Sequence, residues 1–152
     1  MRVLVTGASG MLGGAVAAAL VARGDEVRTL QRRPSGVEGT HDVRGDITDR
    51  APVAAALDGV DGVVHLAARV GIVGTEQQFV EANIVGTQVL LDAARAAGVP
   101  RFVFVSSPSV AHAGHSLVGV GAAPADPDSA RGHYSRTKAA AEQLALGVDS
   151  PS

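Results

Sequence analysis

The opening stretch RVLVTGASGMLG constrains this chain more than any other segment. Arg2–Thr6 is a short run rich in β-branched residues, and Gly7, Gly10 and Gly13 follow it. From Met11 to about Arg23 the chain is rich in alanine and leucine, and Gly24 stands where a helix would stop. The expectation is a strand, a tight turn and a helix. In such a unit the first glycine permits the turn and the second lets backbone amides approach a phosphate. The third lets the helix pack on the strand, and the helix N-terminus favours the bound negative charge. A glycine turn of purely structural purpose is the competing reading.

The same stretch must be separated from a secretion signal, because it carries an early arginine and many small apolar residues. A signal needs one continuous apolar core, and TGASG interrupts this one after Val5. The longest apolar run, Met11 to Ala22, contains two glycines and is too short to cross a bilayer. With 152 residues, 46% hydrophobic and 18% charged, the expectation is one globular domain over 1–152. A net charge of −2 gives no reason to expect nucleic acid or an anionic membrane as partner. The absence of cysteine excludes disulfides, thiolate metal sites and cysteine nucleophiles. We read a cytoplasmic protein acting on a small molecule and open to homo-oligomer formation.

Further along, EVRTL (Glu26–Leu30) reads as a second strand, and HDVRGDITD holds a short third. Asp49 is placed to cap a helix from about Arg50 to Leu57, with Pro52 in its first turn. DGVVHLAA gives a fourth strand, apolar on successive residues as in a sheet covered on both faces. Thr75 and Gln78 have capping-box spacing and open one long helix to about Ala97. Phe79, Ala82, Gly86, Val89, Leu90 and Ala93 mark its apolar face. RFVFVSS is the fifth strand, Ser107 to Arg131 a long loop, and a last helix runs from about His133 to Leu146. This alternation predicts a parallel α/β sheet with helices on both faces, whose ligands bind outside the carboxyl ends of the strands.

Such a site has a nucleotide-specificity position after the second strand, where an acid holds the ribose of NAD and arginine suits the extra phosphate of NADP. Here that strand runs into LQRRP, with Gln31, Arg32 and Arg33 in the acid's place. The sequence favours NADP over NAD on this ground. Asp46, in GDITD, is equally readable as a partner for the adenine amino group or as an ordinary loop aspartate.

Tyr134 and Lys138, four residues apart, share a helix face. For a tyrosine to act as a base near neutral pH, its pKa must drop from about 10 by about 3 units, roughly 4 kcal/mol of phenolate stabilisation. A nearby ammonium and a cationic nicotinamide could supply that. Ser106 and Ser107, after the fifth strand, could hold a substrate oxygen beside the tyrosine, although serines there often only satisfy turn backbone.

TGASGMLG, GDITD, HLAA, EANIVGT, VFVSSPSV and YSRTK, taken in this order and spacing, resemble the extended, epimerase/dehydratase-like branch of the short-chain dehydrogenase/reductases. The motifs cover nearly the whole chain and resemble 3β-hydroxysteroid dehydrogenase-like and nucleotide-sugar epimerase members equally. The resemblance implies a Rossmann-type, doubly wound parallel sheet of about five strands in order 3-2-1-4-5. It implies Tyr134 as catalytic acid/base, Lys138 holding the nicotinamide ribose and lowering the tyrosine pKa, Ser107 orienting substrate and Asn83 supporting the site. The implied cofactor contacts are Gly7, Ser9, Gly10, Met11, Gly13, Arg32, Arg33, Asp46, Ile47, Leu66, Ala67, Ala68 and Lys138. The implied reaction is NAD(P)-dependent hydride transfer at a secondary alcohol or ketone carbon.

His65, in HLAA, is expected to line the cofactor cleft without doing chemistry. His112, His115 and His133 lie on or near the long loop with no carboxylate at ligand spacing, so no metal site is expected. Family members continue past the tyrosine helix into further strands and a smaller substrate domain, whereas this sequence stops at GVDSPS. The expectation is a nucleotide-binding part lacking its substrate wall. A non-catalytic dinucleotide-binding module and an inactive remnant stand as alternatives to an enzyme.

Overall fold

β1 (Arg2–Thr6) is buried from Val3 onward, and its side chains feed two different cores. Val3 and Val5 pack with Ala17 and Val27, whereas Leu4 packs with Leu30, Val53 and Leu90. Alternate residues of a strand point to opposite faces, so a strand apolar on both must be covered on both. β1 therefore takes the centre of the sheet, paired in parallel with β2 (Glu26–Gln31) and β4 (Gly62–His65). β3 (Thr40–Arg44) adds outside β2 and β5 (Phe102–Phe104) outside β4, giving the order β3-β2-β1-β4-β5. The computed structural model describes residues 1–111, 118, 119, 121 and 123–148. His112 and His115 lie outside the described residues.

α1 (Met11–Ala22) covers the Val3/Val5 face. α2 (Arg50–Leu57) and α4 (Gly86–Ala96) cover the other, where Leu30, Leu57 and Leu90 are fully enclosed. α5 (His133–Val148) packs beside α4 at the β5 side. The register aligns Thr6 with Leu30 and with His65, and His65 with Phe104. The carboxyl ends of these strands thus form one rim. Among the described residues, no helix is long and apolar enough to cross a membrane.

Three local expectations need correction. Asp49 occupies the N-cap of α2, but its side chain makes no capping bond. The third helical residue is Pro52, which lacks one of the amides that a capping carboxylate would accept. The fourth strand ends at His65 rather than running through Ala68. The Leu66 and Ala67 amides turn instead to the Thr6 hydroxyl, each at 3.1 Å.

The expected long helix is three pieces: α3 (Glu76–Phe79), a π-helical turn (Val80–Val85) and α4. Its start is held by the Thr75–Gln78 capping box and its second half by Leu90 in the core. The extra residue lies between these anchors, where the Gly86 amide reaches back to the Glu81 carbonyl.

Candidate active site

A cleft of about 680 Å³ runs along the carboxyl rim of the sheet. Its floor is the β1–α1 turn. Gly7 has φ +78°, and a Cβ there would stand 2.8 Å from the Ala67 amide nitrogen. At Gly13 a Cβ would stand 2.3 Å from the Gly7 carbonyl oxygen, so α1 crosses the turn in backbone contact. Gly10 caps α1 with extended backbone and no side-chain bond, leaving the first amides of the helix without a side-chain cap. A cradle of bare backbone at a helix N-terminus, opening into an elongated cleft, fits a pyrophosphate. On this ground the residues present fit a dinucleotide.

Gly7, Ser9, Gly10, Met11 and Gly13 all line the cleft. So do Arg32, Arg33, Asp46 and Ile47 at one end, Leu66, Ala67 and Ala68 in the middle, and Tyr134 and Lys138 at the other. The glycine turn near the amino end and the tyrosine–lysine helix near the carboxyl end thus border a single cavity. Two nominated residues lie off its wall. Asn83 is buried at 1% exposure, and the Ser107 hydroxyl pairs with the Ser109 hydroxyl at 2.9 Å. Of the two serines after β5, Ser106 faces the cleft.

At the β2 end, the Arg32 guanidinium lies 3.9 Å from the Asp46 carboxylate and is 81% exposed. Burial alone would raise the Asp46 pKa. Hydrogen bonds from the Thr48 amide and hydroxyl, with the Arg32 charge, bring it below the usual carboxylate range. The buried Gln31 side chain donates to the Thr29 hydroxyl at 2.9 Å.

At the other end Lys138 is only 3% exposed. Its ammonium donates to the Val105 carbonyl at 2.7 Å and sits 4.0 Å from the centre of the Phe104 ring. Burial pulls its pKa down to about 8, against the opposing effect of the Glu142 carboxylate.

His65 is not on the cleft wall, contrary to expectation; it is 1% exposed and lies beneath it. The Thr87 hydroxyl donates to the Asn83 carbonyl at 2.6 Å, so its oxygen accepts the His65 Nε2–H at 2.9 Å. The Nδ1 lone pair then accepts from the Thr6 hydroxyl at 2.6 Å. This pattern needs a neutral imidazole with its proton on Nε2. The Asn83 side chain carries the network onward, donating to the Thr137 hydroxyl at 3.0 Å and bridging the Arg69 backbone. Thr137 donates to the His133 carbonyl at 2.7 Å, which ties the strand rim to the turn of α5 that bears Tyr134.

Burial, with the Lys138 charge second, drives the His65 pKa from 6.5 to about 3. Between these values the unfolded chain binds the proton that the folded chain excludes, so stability rises with pH across the window. Lowering the pH from about 7 to about 5 should remove about 2 kcal/mol through this residue. Urea unfolding at both values measures it, and His65→Gln should flatten the difference. An equally steep loss in that variant would refute the assignment.

Thr6, Thr87, Thr137, Arg69 and Glu142 were not singled out individually from sequence, and the three threonines and Arg69 carry no spacing signal of their own. Only Glu142 had one, standing four residues after Lys138 on the same helix face.

The comparisons with known proteins agree with this arrangement. The NAD dependent epimerase/dehydratase family model matches residues 3–150. The chain is 39% identical to the 2-alkyl-3-oxoalkanoate reductase of Stenotrophomonas maltophilia, covering all of this chain and 48% of the relative. It is 37% identical to a 3β-hydroxysteroid dehydrogenase/Δ5→4-isomerase of Mycobacterium tuberculosis, covering 97% of this chain and 44% of the relative. The chain therefore spans about half the length of these curated relatives. Among solved structures, an Agrobacterium tumefaciens short-chain dehydrogenase/reductase superfamily protein with bound NAD superposes with a TM-score of 0.82. It is 37% identical, with 95% of this chain and 44% of that one covered. The Thermus thermophilus UDP-glucose 4-epimerase complex with NAD superposes at 0.81 and 31% identity, with 97% and 50% covered. The chain has a five-stranded parallel sheet of Rossmann type, and it belongs to the NAD dependent epimerase/dehydratase family.

Proposed function

We propose that this chain is the dinucleotide-binding domain of an NAD(P)-dependent oxidoreductase acting on a secondary alcohol or ketone carbon of a small molecule. The observation that carries the reading is the shared cleft: the glycine cradle and the Tyr134/Lys138 pair border one cavity. A bound dinucleotide would supply the hydride acceptor or donor at its nicotinamide. The backbone of Gly7, Gly10 and Gly13 and the N-terminus of α1 would hold the pyrophosphate, and Leu66, Ala67 and Ala68 would flank its middle. Tyr134 would pass the substrate's hydroxyl proton as acid/base. Lys138 would place a positive charge beside the phenol and the nicotinamide ribose, and Ser106, with Ser107 behind it, would meet the substrate oxygen. Asn83 would hold the strand rim to α5. The substrates named for the relatives, an oxoalkanoate and a hydroxysteroid, both present an alcohol or ketone carbon. Nucleotide sugars belong in the same assay panel, given the structural likeness to epimerases.

We further propose NADP as the preferred dinucleotide. β2 is followed directly by Arg32 and Arg33, and no acid comes before Glu38. The Arg32–Asp46 contact is solvent-exposed and worth at most about 1 kcal/mol, so the guanidinium is available to a phosphate. Fluorescence titration should give tighter binding of NADPH than of NADH. Arg32→Ala combined with Arg33→Ala should weaken NADPH by about 10-fold or more and leave NADH nearly unchanged. Equal or tighter NADH binding by the parent chain would overturn the preference.

A further inference from the structure

Glu142 lies one turn beyond Lys138 on α5 and is tied to two other segments. One carboxylate oxygen accepts the Ser106 hydroxyl, and the other accepts the Ala125 amide at 3.1 Å. The next residue, Gln143, donates to the Ala125 carbonyl at 3.0 Å, so α5 grips both backbone groups of Ala125. Ala125 packs in turn with Val110, Ala130 and Ala139. In this arrangement the Ser106 proton goes to Glu142, so toward the cleft the hydroxyl can accept from a substrate alcohol, and donation to a ketone oxygen requires it to turn from the carboxylate.

We propose that Glu142 is a positioning residue of this site: it orients the Ser106 hydroxyl at the cleft wall, pins the 123–130 segment to α5, and places a negative charge one turn from the Lys138 ammonium. The proposal rests on the dinucleotide reading for its purpose, but its geometry is independent of it. Around Lys138 the titratable neighbours are Tyr134 and Glu142 on α5 and the neutral His65 on β4, while Phe104 at the end of β5 offers its ring and Val105, just after it, its carbonyl. Glu142 is the anion that opposes the burial of the ammonium. Removing its charge lets burial act alone, so the lysine loses its proton at lower pH.

Lys138 is the only lysine of the chain, so a carbon-13 lysine label reports on it alone. In an NMR titration its midpoint should lie at about 8 in the parent chain. It should fall by about one unit in Glu142→Gln and stay in place in Ser106→Ala, which keeps the carboxylate. Glu142→Asp, which retains the charge, should recover most of the midpoint and covers the case in which Glu142→Gln does not fold. NADPH affinity, followed from about pH 6 to about pH 9, should fall off about one unit earlier in Glu142→Gln than in the parent. An unmoved midpoint in Glu142→Gln, or an equal movement in Ser106→Ala, overturns the proposal. If the midpoint shifts but neither protein binds NADPH or NADH, the dinucleotide reading falls and the Glu142 assignment stands.

Discussion

Alanine at position 13 is expected to destabilise the fold by about 2–3 kcal/mol and to abolish dinucleotide binding. The added methyl would stand 2.3 Å from the Gly7 carbonyl oxygen and 2.7 Å from its carbon, well inside contact distance. Both atoms are backbone, so no side-chain rotation can relieve the overlap. The turn itself cannot retreat freely, because the Gly10 amide donates to the Gly7 carbonyl at 3.0 Å and the Gly7 amide to the Leu30 carbonyl at 3.3 Å. The strain must therefore lift α1 from the sheet, moving the helix N-terminus proposed to cradle the phosphate. Gly147→Ala is the control: nothing lies within 4 Å of a Cβ there, and alanine should be neutral to slightly stabilising. Urea unfolding and NADPH titration on both variants decide the matter. A Gly13→Ala protein with the parent's stability and affinity would show that the turn does not press α1 against the strand as described.

Tyr134→Phe is expected to lower turnover by about 10²- to 10⁴-fold while leaving NADPH affinity within about twofold of the parent. Phenylalanine keeps the ring and loses only the hydroxyl, so packing in the cleft is preserved and the proposed acid/base group is removed. The kinetic signature should be a fall in kcat with KM little changed. Lys138→Met is expected to combine a similar loss with weaker binding, because it also leaves the Val105 carbonyl without its donor. Hydride transfer is followed through the nicotinamide absorbance, with oxoalkanoates, steroids and nucleotide sugars as substrates. Undiminished turnover in Tyr134→Phe would remove this residue from the mechanism.

Much of the fold follows from local signals. β1 and α2 stand at the residues their patterns mark, since a β-branched run before glycines and an alanine-rich run after aspartate are local preferences. The π-turn was hidden for a different reason. Inserting one residue between Phe79 and Leu90 leaves an apolar stripe that still reads as regular helical spacing. The site was legible wherever it is built from backbone, as at Gly7, Gly10 and Gly13, because absent side chains leave a mark in the letters. It was less legible where polar groups are shared between distant segments. Thr6, His65, Thr87, Asn83 and Thr137 become one hydrogen-bonded chain only when β1, β4, the π-turn and α5 meet.

By itself, then, the order of residues determined the strand–turn–helix opening, the parallel sheet and the nomination of Tyr134 and Lys138 as a pair, since turn geometry and helical periodicity are short-range properties. Tertiary structure alone decided that His65 sits under the cleft rather than in it, that Ser106 rather than Ser107 faces the cavity, and that the Ser106 hydroxyl donates to Glu142. These outcomes depend on which way a side chain turns at the end of a strand and on what burial does to its charge. Both are settled by neighbours up to about 60 positions away, as in the Thr6–His65 bond, where the separation is 59 residues.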